Sequence, residues 1–309
     1  MGDKVVVLTG GVGGAKLALG LSHVVPPQDL TAIVNTGDDF HHLGLHVSPD
    51  IDTLLYTLSG RANQTLGWGR EGETWSFMAA LREQGAEDWF NLGDGDLALH
   101  VLRTLRLGRG DGLAAVTADF AARFGIALTI LPMSEEPVTT TLHTDEGVLE
   151  FQRYFVGRRC EPCVRRITFE GAAEAQGAPG VVDAIGEADL VLVAPSNPYL
   201  SVDPLLAVND IQNALAQTRA PVVAVSPLVG GESVKGPTAK LMRELGRPVS
   251  NQTIADHYEG LIDGLLIDEG DPAPEGPAVG YASTLMRTLE DRIRVARAAL
   301  ELACSLKRA

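Results

Sequence analysis

The run Lys4-Val-Val-Val-Leu-Thr-Gly-Gly-Val-Gly-Gly-Ala-Lys16 constrains the fold more than any other stretch of the chain. An apolar segment of strand length stops at four glycines within five residues, and a helix pattern of small residues follows. A buried strand entering a helix through such a turn leaves backbone N–H groups beside a helix N-terminus. That is an anion site, most often filled by phosphate. The pattern departs from the common nucleotide motifs. Gly-x-x-x-x-Gly-Lys-Ser/Thr is absent, and Gly11-Val12-Gly13-Gly14 is compressed relative to Gly-x-Gly-x-x-Gly, because Lys16 stands where the third glycine would fall. The next apolar run ends in Asn35-Thr36-Gly37-Asp38-Asp39, with no obvious ribose acceptor. The turn reads as a phosphate or diphosphate contact; the alternative is a tight turn that only lets the helix pack closely.

Short Val/Ile/Leu runs recur at Val5–Leu8, Ala32–Val34, Ala127–Leu131, Leu190–Val193, Val222–Val225 and Leu261–Ile267, separated by helical patterns. Such alternation predicts an α/β fold, a Rossmann-like and mainly parallel sheet with helices on both faces. Ligands of these folds bind at the C-terminal strand ends. Those ends carry the unusual loops: 10–14, 35–39, 132–135, 195–198 and 226–231. Between Ile51 and Phe124 only helical stripes occur, so residues 51–124 are expected to be a helical insertion in a core made of 1–50 and 125–309. Asp94 or Asp96 is expected to cap its third helix. Val138–His143 and Gly147–Val156 suggest a hairpin, and Asp268–Ala278 a surface loop. Thr288–Leu302 suggests a terminal helix with Leu289, Ile293, Ala296 and Leu300 on its apolar face.

At 309 residues and 45% apolar content the chain can bury a full core. The absence of an 18-residue apolar run and of a signal-peptide pattern predicts a cytoplasmic protein without a membrane span. Three cysteines make no disulfide framework; Cys160-Glu-Pro-Cys163 could be a redox pair or half a zinc site, but coincidental thiols are favoured. A formal charge of −15 argues against nucleic-acid binding. An anionic ligand must then be gripped by local devices: backbone N–H groups, a few Lys or Arg side chains, and a divalent cation held by carboxylates.

Three blocks carry candidate chemistry. Val34-Asn-Thr-Gly-Asp-Asp-Phe40 and Ser48-Pro-Asp-Ile-Asp-Thr53 supply Asp38, Asp39, Asp50 and Asp52. The last two precede a helix pattern, where either could simply cap it or complement its dipole. Capping needs one such residue, whereas Ser48, Asp50, Asp52 and Thr53 exceed that need. Paired carboxylates suit a magnesium ion on a diphosphate, or the orientation or deprotonation of an attacking hydroxyl. Leu92-Gly-Asp-Gly-Asp-Leu-Ala-Leu-His100 repeats the arrangement without the remaining ligands of a calcium loop. His100 stays open between a packed and a functional residue; His41 and His42 read as solvated loop residues. In the third block, Pro195-Ser-Asn-Pro198 presents a hydroxyl and an amide. The loop Ser226–Pro237, with Lys235 and then Lys240, supplies cations, although turn chemistry alone explains its prolines and glycines.

In order along nearly the whole chain, these blocks, with Leu131-Pro-Met-Ser134 and Lys235-Gly-Pro-Thr-Ala-Lys-Leu-Met242, resemble the 2-phospho-L-lactate transferase family of coenzyme F420 biosynthesis. The resemblance implies a Rossmann-like scaffold with added helical parts. It also implies transfer of a phospho-acid unit from a guanosine diphosphate conjugate to the terminal ribityl hydroxyl of the deazaflavin Fo, with magnesium and release of GMP. The acid is lactyl, enolpyruvyl or glyceryl, and a homodimer is expected. Asp50 is implied as the Fo-contacting aspartate and candidate base, with Thr53, Arg82 (or Arg103), Asp94 and His100 on the Fo side. The donor is expected at Gly11, Val12, Gly13, Gly14, Lys16, Ser196, Asn197, Gly230, Lys235 and Lys240, and magnesium at Asp38, Asp39 and Asp52. Gly95 stands where some members carry a basic residue, and Cys160 and Cys163 are not part of the family's motif. Two other readings remain. One is a nucleotide or nucleotide-sugar binding or regulatory protein on the same scaffold, which needs no Fo site and releases no GMP. The other, an NAD-dependent oxidoreductase, is disfavoured by the compressed glycine turn.

Overall fold

Strand β1 (Val5–Thr9) leads into α1 (Gly11–Ser22), β2 (Leu30–Val34), a small hairpin of β3 (Phe40–His42) and β4 (Leu45–Val47), and α2 (Pro49–Leu58). Helices α3 (Ser76–Glu83), α4 (Asp96–Leu107) and α5 (Leu113–Arg123) precede β5 (Thr129–Pro132). A three-stranded antiparallel sheet follows, β6 (Thr139–Thr144), β7 (Gly147–Glu150) and β8 (Val164–Glu170). The remainder runs α6 (Val181–Gly186), β9 (Leu190–Val193), α7 (Asp203–Leu206), α8 (Asn209–Gln217), β10 (Val222–Val225), the hairpin β11 (Leu228–Val229) and β12 (Glu232–Ser233), α9 (Thr238–Glu244), α10 (Asn251–His257), β13 (Gly264–Asp268), β14 (Ala278–Ala282) and α11 (Leu289–Ser305). The computed structural model describes residues 2–63, 65–234 and 236–307; Lys235 lies outside them.

Seven strands form one all-parallel sheet in the order β14-β13-β10-β9-β1-β2-β5. The fold is the expected Rossmann-like α/β architecture. Successive side chains of a strand point to opposite faces, so a run such as Val5–Leu8 feeds two cores at once. Val5 and Val7 join α1, α2, α5 and α11 on one face; Val6 and Leu8 join helices α6–α10 and the antiparallel sheet on the other. Connections leave β1 toward β2 on one side and return to β9 on the other, which makes the β1/β9 gap the topological switch point where such folds bind ligands.

Several expectations need correction. Strands β8 and β14 lacked a clear apolar alternation and were not anticipated. The second hairpin strand stops at Glu150, and residues 153–157 turn helically instead. Asp94 does not cap α4: it accepts the Ser76 and Phe77 N–H groups at 3.0 Å each and caps α3, while Gly95 precedes α4. Asp50 and Asp52 lie inside the first turn of α2 rather than before it. Helix α2 packs on α1 in the layer covering the sheet, with Ile51, Leu54, Leu55 and Tyr56 in its core. The seam of α11 runs through Val295, Ala296, Ala299 and Ala303, and Leu289 is exposed. Close crossing with α1 selects small side chains there, since a Cβ at Gly20 would strike the Arg292 backbone.

Candidate active site

A cleft of about 600 Å³ opens at the switch point. Its floor is the glycine turn. Gly11 takes φ +62°, which favours glycine, and starts α1. A Cβ at Gly13 would run into the Pro195 carbonyl, and one at Gly14 into the Thr9 and Ser196 hydroxyls, so the β1 and β9 turns interlock. Ser196 fastens them: its hydroxyl donates to the Gly10 carbonyl at 2.7 Å and accepts the Gly10 N–H at 3.3 Å. Asn197 accepts the Tyr199 and Leu200 N–H groups through Oδ1, at 3.0 and 3.2 Å. Its buried amide nitrogen has no partner among the described residues.

The first turn of α2 places Asp50 against this floor, where a Cβ at Gly10 would come within 2.7 Å of its Oδ2. Asp50 accepts the Asn35 side-chain amide at 2.9 Å and the Gly11 backbone N–H. Asp38, four residues after the end of β2 at Val34, accepts from the same Asn35 amide at 3.4 Å and from Gln152 at 3.1 Å. Burial, opposed by these amides, pushes the Asp50 carboxyl up to about 6. Burial also holds Asp38 well above the usual carboxylate range, and the neighbouring charges of Asp50 and Asp39 add to it. Two buried carboxylates served by neutral amides form a hard-oxygen pair suited to a divalent cation. Asp39 turns away to the β3–β4 side, where it meets His46 Nε2 at 3.0 Å and the Ser48 hydroxyl at 2.6 Å.

A second cluster lies deeper on the α4 side. Arg103, fully buried, grips Asp52 with both terminal nitrogens, Nη1 at 3.1 Å from Oδ2 and Nη2 on Oδ1. His100 Nδ1 is 3.6 Å from Asp52 and its Nε2 3.2 Å from Asp96 Oδ2, while the Tyr56 hydroxyl donates to Asp96 Oδ1 at 2.5 Å. Burial raises the Asp96 carboxyl, but His100 and Tyr56 outweigh it and leave it below its ordinary value. Asp52, Asp96 and His100 are close enough to hold a metal ion in principle. The guanidinium already neutralises Asp52 through both oxygens, so this set fits a cation poorly compared with Asp38 and Asp50.

The outer lobe is apolar. Leu66, Trp68, Phe90, Phe151 and Phe155 line it; Leu66 and Trp68 are about half exposed, and the Phe151 and Phe155 rings stack at 5.3 Å. Flat rings around a cleft mouth make a stacking surface for a planar aromatic ligand.

Of the residues nominated from sequence, Gly11, Val12, Gly13, Lys16, Asp38, Asp50, Asp52, Thr53, His100, Ser196 and Asn197 line this one cleft. The others have different surroundings. Gly14 packs under the floor, and Gly230 forms the β11–β12 turn with φ +62°. Arg82 bonds Asp88 and Asn91 on the surface. Asp94 is the α3 cap described above. Lys240 is held by Glu244, the Pro162 carbonyl and the Tyr154 hydroxyl, away from the cleft wall. Sequence reasoning missed Asn35, Tyr56, Asp96, Gln152 and the aromatic lobe as site residues. Asn35 lies in the Val34–Phe40 motif and Asp96 in the Leu92–His100 motif; Trp68 and Phe151 have only their residue type as a signal.

Residues 5–295 match the family described as 2-phospho-L-lactate transferase CofD. A phosphoenolpyruvate transferase of Streptomyces griseus is 42% identical, covering 97% of this chain and 98% of its own. A 2-phospho-L-lactate transferase of Methanosarcina mazei is 36% identical, covering 92% and 95% respectively. A solved structure of a Bacillus halodurans protein superposes with a TM-score of 0.65 at 19% identity over 97% of this chain, which shows the fold alone. With a switch-point cleft built from the motifs that carry the likeness, and a match spanning almost every residue, the chain belongs to the 2-phospho-L-lactate transferase CofD family.

Proposed function

We propose that the protein moves a phospho-acid unit, phosphoenolpyruvate or 2-phospho-L-lactate, from a guanosine diphosphate conjugate to the terminal ribityl hydroxyl of Fo, releasing GMP. The observation that carries this reading is a single cleft that Asp50, set against the glycine turn, lines together with an aromatic lobe. The donor's diphosphate belongs on the glycine floor, where α1 N–H groups and Lys16 face the cleft. Ser196 and Asn197 contact the guanylyl part, the latter through its unpartnered amide. The deazaflavin ring stacks in the Trp68–Phe155 lobe, which lets its polyol chain run inward to Asp50.

A primary alcohol attacking a shielded phosphorus needs in-line positioning and charge neutralisation more than covalent help. Asp50 accepts the hydroxyl's hydrogen bond and takes its proton as the O–P bond forms. Asn35 and the Gly11 N–H hold the carboxylate in place. Asp38, beside Asp50, would hold a magnesium ion, which supplies positive charge to the diphosphate oxygens. GMP leaves along the floor, its phosphate charge met by the α1 N-terminus. Titration of Fo fluorescence, with NAD as control, together with Fo-dependent GMP release tests the reading. Binding of guanosine nucleotides without Fo binding or GMP release would favour a nucleotide sensor and refute it.

A further inference from the structure

His100 lies on α4 with its side chain 2% exposed, on the cleft wall. Arg103 Nη1 sits 3.4 Å from His100 Nδ1 while also donating to Asp52. A guanidinium has donors only, so this contact requires a lone pair on Nδ1. The ring proton is then on Nε2. That nitrogen is buried and has no hydrogen-bond partner among the described residues. Asp96 Oδ2 lies 3.2 Å from it but off the axis that a hydrogen bond needs, and Tyr56 occupies the other Asp96 oxygen. The wall thus presents an unsatisfied donor beside a carboxylate oxygen with spare acceptor capacity.

Only some chemistries satisfy both at once. A phosphate or carboxylate oxygen would accept from Nε2–H but would face the Asp96 charge. An ether or carbonyl would accept from Nε2–H and leave Asp96 without a donor. An alcohol oxygen accepts from Nε2–H and donates its proton to Asp96. We infer that His100 and Asp96 form a hydroxyl-reading pair for the polyol segment of the acceptor, and that Arg103 is the positioning residue holding His100 as the Nε2–H donor. This rests on the reading of the acceptor as a ribityl compound. Asp50 serves the terminal hydroxyl at the glycine floor, so the pair on the α4 side reads an interior one.

The test has two arms. Fluorescence titration compares Fo with analogues that each lack one interior ribityl hydroxyl, using wild type, His100→Phe and His100→Gln. Wild type should bind one analogue about tenfold or more weakly than Fo, because a site built for a hydroxyl rejects the ligand that lacks it. His100→Phe should bind that analogue and Fo within about twofold, and His100→Gln, which retains an N–H, should restore part of the discrimination. Equal binding of all analogues by wild type, or undiminished discrimination in His100→Phe, would overturn the inference. In the second arm, ¹⁵N-histidine spectra of the ligand-free protein should show His100 with its proton on Nε2, and Arg103→Met should shift it toward Nδ1. A proton on Nδ1 in wild type would likewise overturn it. Failure of wild type to bind Fo at all removes the acceptor assignment instead. The pair is then judged with ribitol as probe: a shift of the His100 Nε2 resonance supports it, and an unmoved resonance refutes it.

Discussion

Replacing Asp50 by asparagine keeps the shape and removes the charge, and so distinguishes a reacting carboxylate from one that only holds Asn35 and the Gly11 N–H. In the folded protein Asp50 titrates near 6 instead of 3.8, because burial opposes its ionised form. The folded value lies above the unfolded one, so ionisation weighs against the native state. The stability is fully present below the unfolded value and is lost as pH rises through the folded one. Linkage puts the penalty at about 0.5 kcal/mol near pH 4 and about 3 kcal/mol near pH 8. Asparagine carries no such penalty, but it weakens the contacts to Asn35 and the Gly11 N–H by about 1 kcal/mol. Asp50→Asn should therefore be slightly less stable than wild type near pH 4 and about 2 kcal/mol more stable near pH 8. At about 2 °C per kcal/mol for a chain of this size, that is a rise of about 4 °C. Turnover should fall by a factor of about 10² or more. Thermal unfolding in chelator across the pH range, with GMP release on the same preparations, measures both. Equal destabilisation at every pH with turnover intact would show that Asp50 only braces the first turns of α1 and α2 and takes no part in the transfer.

Magnesium should raise the wild-type melting temperature more at high pH than at low pH, because burial makes the Asp38 carboxyl hold its proton to higher pH than an ordinary carboxylate; Asp38→Asn should abolish the response at pH 8 in the same thermal scan. Gly13→Ala should cost about 1–3 kcal/mol in urea denaturation, because its methyl enters the Pro195 carbonyl and pries the two turns apart. Trp68→Ala should weaken Fo binding about tenfold in fluorescence titration while leaving stability within about 0.5 kcal/mol, since this ring is half exposed and packs little core.

The central sheet was legible because fully buried parallel strands are continuous Val/Ile/Leu runs, and β1, β2, β9 and β10 follow them closely. Strands β8 and β14 were not, since Val164–Glu170 carries two arginines and Ala278–Ala282 is a short edge strand of mostly small residues with Val279 as its only Val, Ile or Leu. The glycine turn and Asp50 were legible because four glycines and surplus carboxylates exceed what turns and caps require. Partnering was not. Nothing local in the sequence says that Arg103 takes both oxygens of Asp52, or that Asp94 reaches back to cap α3 while Asp96 faces the cleft. Those outcomes depend on how α2, α3 and α4 pack across gaps of many residues. The α11 seam failed for a related reason: the close approach of α1 at Gly20 favours alanines where a hydropathy pattern favours leucine.

The proposed transfer requires a phospho-acid donor and a polyol acceptor to meet at Asp50. Incubating the purified protein with Fo, magnesium and each guanosine diphosphate conjugate in turn, the lactyl, enolpyruvyl and glyceryl forms, and weighing the products by mass spectrometry tests that most directly. The predicted result is Fo gaining one phospho-acid unit, with one equivalent of GMP, for at least one donor and with none formed by Asp50→Asn. Unaltered Fo with every donor, in protein shown to be folded, would contradict it.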